Sequence, residues 1–233
     1  MSGAGPTGGS STTGSQGGPG ASTPASLVVA EAASRRALGD GFEAALVFAD
    51  MLRVHGEERG LIGPRELDRL WTRHIVNSAA VLPHLPRSGR VADVGSGAGL
   101  PGVVLAAARP DLEFHLVEPM ERRIAWLELV ATTIGLTNVT LHQKQAQELH
   151  GSLQFDAVTA RAVAALDKLL RWTWPLVAPG GALVAMKGAR AADELTAASS
   201  VLKKLPGAGA GVVHEVDVLG DGDVTRVVEV RRS

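Results

Sequence analysis

The string Asp93-Val94-Gly95-Ser96-Gly97-Ala98-Gly99-Leu100-Pro101-Gly102 places four glycines directly behind an aspartate. Glycine tolerates positive φ and adds no side chain, so such a turn brings backbone N–H groups close to a ligand at a helix N-terminus. Residues 97–102 satisfy G-x-G-x-x-G literally, a weak dinucleotide signal by itself. Asp93, two residues before Gly95, fits D-x-G-x-G-x-G instead, and its carboxylate can accept hydrogen bonds from a methionine-type ammonium group. A second carboxylate, Glu118, follows Leu116-Val117. At the end of a second strand it would grip ribose hydroxyls in either a nicotinamide or an S-adenosylmethionine (SAM) pocket. Asp93, the glycines and Glu118 together predict a nucleoside-type cofactor.

Four further groups have chemical potential. Gln145-Ala146-Gln147-Glu148 follows an apolar run where a class I methyltransferase fold holds adenine, although a polar loop explains the same spacing. Thr159-Ala160-Arg161-Ala162-Val163 puts Arg161 at the lip of the expected pocket, where contact with cofactor or substrate is the preferred reading. Lys187-Gly188 ends another strand at that edge, and residues 161–204 hold seven basic against three acidic residues, a local patch for an anionic partner. Arg122 and Arg123, with Trp126 nearby, suit either base stacking with phosphate binding or an arginine lying over a partly buried indole. In a helix expected from Pro64, the apolar stripe Leu67, Leu70, Trp71, Ile75 and Leu82 has His74 and Ser78 at its centre and Asn77 at its margin. Either His74 is a satisfied core histidine, or this helix closes the pocket and presents His74 and Asn77 to it.

These residues need a frame. Of the first 26 residues of 233, 24 are Gly, Ser, Thr, Pro or Ala, so residues 1–26 are expected to form a disordered tail. Residues 27–88 read as a helical extension, with Asp40 and Glu43 spaced as a capping box before Phe42–His55 and Gly63-Pro64 opening a third helix. From residue 89 to the end, short β-branched runs at 91–94, 113–117, 138–142, 155–159, 182–186, 212–218 and 224–230 alternate with helical stretches. This predicts an α/β fold, a Rossmann-like seven-stranded, mostly parallel sheet of the class I SAM-dependent methyltransferase type. The Gly/Asp turn 219–223 makes the last strand antiparallel to its neighbour.

Composition narrows the function classes. A net charge of −1 provides no global basic field, so a nucleic-acid site must be local. The absence of cysteine removes disulfides, Cys-ligated zinc and thiol nucleophiles, and no metal is expected. No apolar run reaches the ~18 residues of a membrane helix, and the N-terminus lacks a signal-peptide pattern, so a cytoplasmic monomer without membrane contact is the expectation.

The sequence resembles the bacterial 16S rRNA (guanine-N7) methyltransferases, the glucose-inhibited division protein B family. The resemblance rests on Arg73-His74-Ile75-Val76-Asn77-Ser78, the string 93–102, Arg122-Arg123, Ala160-Arg161-Ala162 and Lys187-Gly188, and spans roughly residues 40–231. It implies SAM-dependent methylation of a guanine N7 in 16S rRNA of the small ribosomal subunit. It also implies a cofactor pocket at Gly95, Leu100, Ala146, Gln147 and Arg161. Gln147 stands where the family pattern has glutamate, and the Gly/Ser tail has no counterpart. The residues agree with N7 chemistry, because N7 has an exposed lone pair and no proton to remove, so in-line positioning is the main requirement. Cytosine C5 transfer would need a cysteine, and exocyclic amino transfer an Asn/Asp-Pro-Pro-aromatic string where 159–162 stands. The expected machinery is SAM along Asp93, Gly95, Gly97, Gly99, Leu100 and Glu118, the base near Arg161, and RNA held by His74, Asn77, Arg122, Arg123 and Lys187. Two other readings stand beside it: a methyltransferase for a small molecule or protein, and an NAD(P)-dependent oxidoreductase.

Overall fold

The computed structural model describes Met1 and residues 24–233, with side chains described at Met1 and from residue 31. The expected tail lies outside the described residues over 2–23, and its last positions, 24–26, are in the first helix. That helix, α1 (Pro24–Leu38), runs through a 3₁₀ turn (Gly39–Gly41) into α2 (Phe42–His55). The expected capping box does not form. The residue before α2 is Gly41, which makes no side-chain cap, and Glu43 accepts a 2.8 Å hydrogen bond from Arg35 instead. The reason is steric: a Cβ on Gly41 would lie 2.6 Å from the backbone of Ala107 and Ala108, so the chain passes too close to the next layer to turn out for a cap.

The single helix expected from Pro64 is also replaced. The segment forms a 3₁₀ turn (Pro64–Arg69), a π-helical turn (Leu70–Val76) and another 3₁₀ turn (Ala79–His84). Its residues still bury one side, with Leu70, Ile75, Val76, Ser78 and Val81 all inaccessible. Packing of that side has overridden the α-helical hydrogen-bond ladder.

Thereafter strands and helices alternate as expected: β1 (Arg90–Val94), α3 (Gly102–Ala108), β2 (Glu113–Val117), α4 (Glu121–Ile134), β3 (Val139–His142), β4 (Phe155–Arg161) and α5 (Leu166–Thr173). They continue with β5 (Val177–Lys187), α6 (Ala191–Ala197), α7 (Ser199–Leu202), β6 (Val212–Val216) and β7 (Thr225–Arg231). All seven strands form one sheet in the order β3-β2-β1-β4-β5-β7-β6. The first five are parallel, and β7 runs antiparallel to both β5 and β6. Before β7, the Asp217 carboxylate accepts the N–H groups of Gly220, Asp221 and Gly222 at 2.7, 3.2 and 2.9 Å, which organises the Gly/Asp connection.

Strand periodicity assigns the two faces. Ala92, Val94, Val158 and Ala160 meet Leu166, Leu169, Leu170 and Trp174 in one core layer. Val91, Ala157 and the residues in step with them face α3 and the N-terminal turns. Asp93, Thr159 and Arg161 belong to that second face. The helical extension is joined to it through a core of Phe48, Leu52, Ile75, Val103, Leu116 and Trp126. Among the described residues, no helix is long and apolar enough to cross a membrane.

Candidate active site at the carboxyl ends of the strands

Asp93 is wholly buried at the end of β1. Its Oδ2 accepts the Gly102 N–H at 3.1 Å, while Oδ1 is buried without a partner. A Cβ on Gly102 would come within 2.5 Å of Oδ2, so only glycine lets α3 begin against this carboxylate. Burial pushes Asp93 up to about 7, opposed by Ser96, the Gly102 N–H and the Arg161 charge. A cation brought to Oδ1 would satisfy the orphaned acceptor and restore the ionised form.

The glycine-rich turn adopts the expected left-handed backbone, with φ of 71° at Gly95, 53° at Gly97 and 103° at Gly99. Glu118, almost entirely buried, receives the Gly97 N–H on Oε2 and the Met120 N–H on Oε1, both at 3.0 Å. The second carboxylate is thus held directly against the turn. Arg123 lies 3.6 Å from Glu118 Oε2, which places it at this end of the site. Arg122 is exposed on the outside of α4. Trp126 is fully buried and donates from Nε1 to the Ala98 carbonyl at 2.9 Å, so the expected Arg122–indole surface does not exist. The cation over that ring is Arg59, 5.7 Å from its centroid. Ala146 is buried and Gln147 exposed in the turn after β3, where Glu148 Oε2 accepts the Gln145 N–H at 2.6 Å.

Arg161 ends β4 and crosses to the N-terminal extension. It donates from Nη1 to the His74 carbonyl and from Nη2 to the Arg73 carbonyl, both at 3.2 Å, and from Nη2 to His74 Nδ1 at 2.5 Å. The end of the π turn makes these carbonyls accessible, because the last carbonyls of a helical segment lack ladder partners. Since arginine only donates, His74 Nδ1 is the acceptor and Nε2 carries the proton, given to Glu66 Oε2 at 2.8 Å. Burial, with the Arg161 charge, pushes the His74 pKa down and keeps the ring neutral. Ser78 caps the arrangement by donating to the His74 carbonyl at 2.7 Å. His74 is therefore satisfied on both ring nitrogens and also lines the pocket.

That pocket is a cavity of about 1010 Å³ whose lining includes Arg69, Arg73, Asn77, Arg161, Arg190 and Arg226. Arg69 and Arg226, which come from two other segments, carry no signal in the sequence reading. Of the seven basic residues in the patch expected over 161–204, Arg161, Lys187 and Arg190 line the cavity. Lys187 is placed differently from the expectation too. Its side chain is mostly buried, and Nζ donates to the Ala164 carbonyl at 2.6 Å and to Glu194 Oε2 at 2.8 Å. It therefore holds the 162–165 loop in place. In that loop Ala162 takes a φ of 55°, unusual for a residue with a side chain. Val163 covers the glycine-rich turn closely, with Cγ2 2.7 Å from where a Gly95 Cβ would stand.

The family model for GidB, rRNA small subunit methyltransferase G, matches residues 42–214. The chain belongs to this family. A ribosomal RNA small subunit methyltransferase G from Beutenbergia cavernae is 64% identical over 206 residues, 88% of this chain and 97% of the relative. One from Leifsonia xyli subsp. xyli is 50% identical over 206 residues, 87% of this chain and 96% of the relative. Solved structures corroborate the class I methyltransferase fold. A SAM-dependent O-methyltransferase from Thermotoga maritima superposes with a TM-score of 0.51 at 17% identity, covering 72% of this chain and 70% of the other. A ribosomal protein L11 methylase from Lactobacillus delbrueckii subsp. bulgaricus gives 0.51 at 14% identity, covering 68% and 77%. For a GidB-family chain, the basic cavity beside the glycine-rich turn is the natural place to look for substrate.

Proposed function

We propose that this GidB-family enzyme uses SAM to methylate a guanine N7 in 16S rRNA of the small ribosomal subunit. The observation that carries the reading is the adjacency of two unlike compartments. Around Asp93, Gly95, Gly97 and Glu118 the site is acidic and built from close backbone; beyond Arg161 it opens into a cavity whose lining holds six basic against four acidic side chains, five of the six being arginines.

The residues fit SAM. The orphaned Asp93 Oδ1 suits its ammonium group, Glu118 its ribose, and the turn at Ala146 and Gln147 its adenine. When bound, SAM supplies an electrophilic methyl group, and N7 needs no base to accept it. The chain's own task is orientation. Arg161 has three of its five N–H donors held by the Arg73–His74 turn, so the rest are presented from a fixed guanidinium. Asn77 faces the cavity with no side-chain partner among the described residues, a donor and acceptor available to a base or ribose. Arg69, Arg73 and Arg190 are placed to neutralise RNA phosphates, and Arg226, which pairs with Glu215 at 2.8 Å, would join them by exchanging that partner.

The test is transfer of a labelled methyl from SAM to small subunits and to bare 16S rRNA from a strain lacking the corresponding enzyme, followed by nucleoside analysis. Label recovered as 7-methylguanosine at one site is expected. SAM binding without transfer to either RNA would remove the rRNA assignment and favour a small-molecule or protein substrate.

A further inference from the structure

Away from the candidate active site, two histidines and a glutamate from three different elements converge. His84 closes the last turn of the N-terminal extension, His214 lies on β6 and Glu229 on β7. In the antiparallel register Val212 is opposite Glu229. His214, two residues along β6, is therefore on the same face as Glu229 and diagonal to it. Glu229 Oε2 is 2.9 Å from His214 Nε2 and 3.1 Å from His84 Nδ1, and the two rings are 4.3 Å apart.

We propose that His84, His214 and Glu229 form a binding site for one divalent transition-metal ion of the zinc type. The three ligand atoms all lie within 4.8 Å of one another. Tetrahedral coordination with bonds of ~2.0 Å places ligand atoms ~3.3 Å apart, so the two histidine–carboxylate distances need open only by a few tenths of an ångström to admit the ion. Two imidazoles and a carboxylate are a donor set zinc accepts readily, and they leave a fourth position. The His214 side chain is 33% exposed, which gives that position access to water. Arg231 contacts the other oxygen, Glu229 Oε1, at 2.5 Å, reserving Oε2 for the ion. Arg231 is itself 71% exposed, so solvent screens its charge. Leu82 and Leu85 flank His84 along the chain and Val216 is in step with His214 on β6, and all three pack on the adjoining core.

The expectation of no metal rested on the absence of cysteine, which says nothing about a His/Glu site. An ion here would tie the helical extension to the β6–β7 edge, far along the chain from His84. Its function is structural, with the open position available to solvent.

The experiment uses the full chain without a histidine tag, stripped with chelator and titrated with Co(II) alone and with Zn(II) alone. Expected are one equivalent of Co(II) with visible d–d absorption, its displacement by Zn(II), and a Tm raised by several degrees at saturating zinc. H84Q and H214Q should each weaken binding more than tenfold while far-UV circular dichroism and methyl transfer stay unchanged. Wild type binding Co(II) no more tightly than both variants would overturn the site and leave a hydrogen-bonded His–Glu–His cluster. If the variants fail to fold, the wild type still decides the matter. Co(II) must broaden the NMR resonances of the His84 and His214 rings before those of the other histidines, and the reverse order overturns the proposal.

Discussion

Asp93 on β1 and Thr159 on β4 are register partners, and each buries one oxygen without a hydrogen-bond partner. Unpaired buried polar atoms typically cost ~1–3 kcal/mol each, so this corner of the sheet is held in a state that a polar ligand would relieve. Asp93→Asn should weaken SAM binding at least tenfold while preserving the fold, measured by calorimetry. Thr159→Val should leave stability unchanged or raised, because it removes an unsatisfied hydroxyl at equal volume. A destabilised Thr159→Val would show that the hydroxyl has a partner after all.

Asp93 also predicts a pH dependence. Its folded value of about 7 lies above the ordinary 3.8, so between these values the native state holds a proton that the unfolded chain has released. Its contribution to stability is complete below about pH 4 and is lost as pH rises through about 7. Binding of an ammonium-bearing cofactor runs the other way, since it favours ionised Asp93. SAM affinity should rise with pH and level off above about 7, with proton release detectable as a buffer-dependent binding enthalpy. A flat affinity profile from pH 5 to 8 would detach the ammonium from Asp93.

Arg161→Ala should reduce methyl transfer at least a hundredfold, with a much smaller effect on Tm. Arg161→Lys should rescue little, because one ammonium cannot reproduce a fork that meets two carbonyls and a ring nitrogen. His74→Phe keeps an aromatic ring, somewhat larger, but removes the Nδ1 acceptor, and should lower kcat roughly tenfold. The depressed His74 pKa means that its neutral form stabilises the fold fully above the unfolded value of 6.5. That contribution falls away as pH drops through the folded value, and activity should decline on the same acid side.

Lys187 and Glu194 should behave as one unit. Glu194 Oε2 accepts both the Lys187 ammonium at 2.8 Å and the Leu166 N–H at the start of α5 at 3.0 Å. Lys187→Met and Glu194→Gln should each lower stability by ~1–3 kcal/mol, and the double variant should lose less than the sum. A Lys187→Met variant with unchanged Tm but a reduced salt dependence of RNA binding would return Lys187 to the phosphate contacts.

Neutralising the rim arginines should act on binding. Replacing Arg69, Arg190 or Arg226 with Gln should raise KM for RNA with little change in kcat. Every arginine that pairs with a phosphate should, when neutralised, reduce the slope of log affinity against log salt by ~0.7–0.9. Salt titrations of single and combined variants measure this directly.

The sheet is legible from the chain because β-branched runs and glycine turns are local signals, and the Asp93 string marks one end of the candidate site. The capping box failed because Gly41 must pass close to Ala107 and Ala108, a long-range approach with no local sequence mark. The Pro64 segment kept its apolar stripe but lost regular α geometry, since burial of one side does not specify the hydrogen-bond ladder. Residue type points Lys187 at an anionic partner and leaves Trp126 open between a stacking surface and a partly buried indole, yet their partners, Glu194 and the Ala98 carbonyl, are set by tertiary packing. The arginine rim was scattered over three segments and became a group only once β5, β7 and the N-terminal turns met at one edge.

The wide turn at Leu70–Val76 also sets the angular phase between Pro64 and the sheet. A π turn winds ~85° per residue and an α-helix ~100°, so the seven residues of this turn pass through about the same angle as six α-helical ones. Deleting one residue and tightening the turn to α winding should therefore leave both flanks in phase. A change of length at constant winding would instead rotate the upstream segment by ~100° and swing Glu66 away from His74. Length and winding in this segment are thus coupled, and only a change in both together keeps the acidic anchor on the imidazole that steadies Arg161.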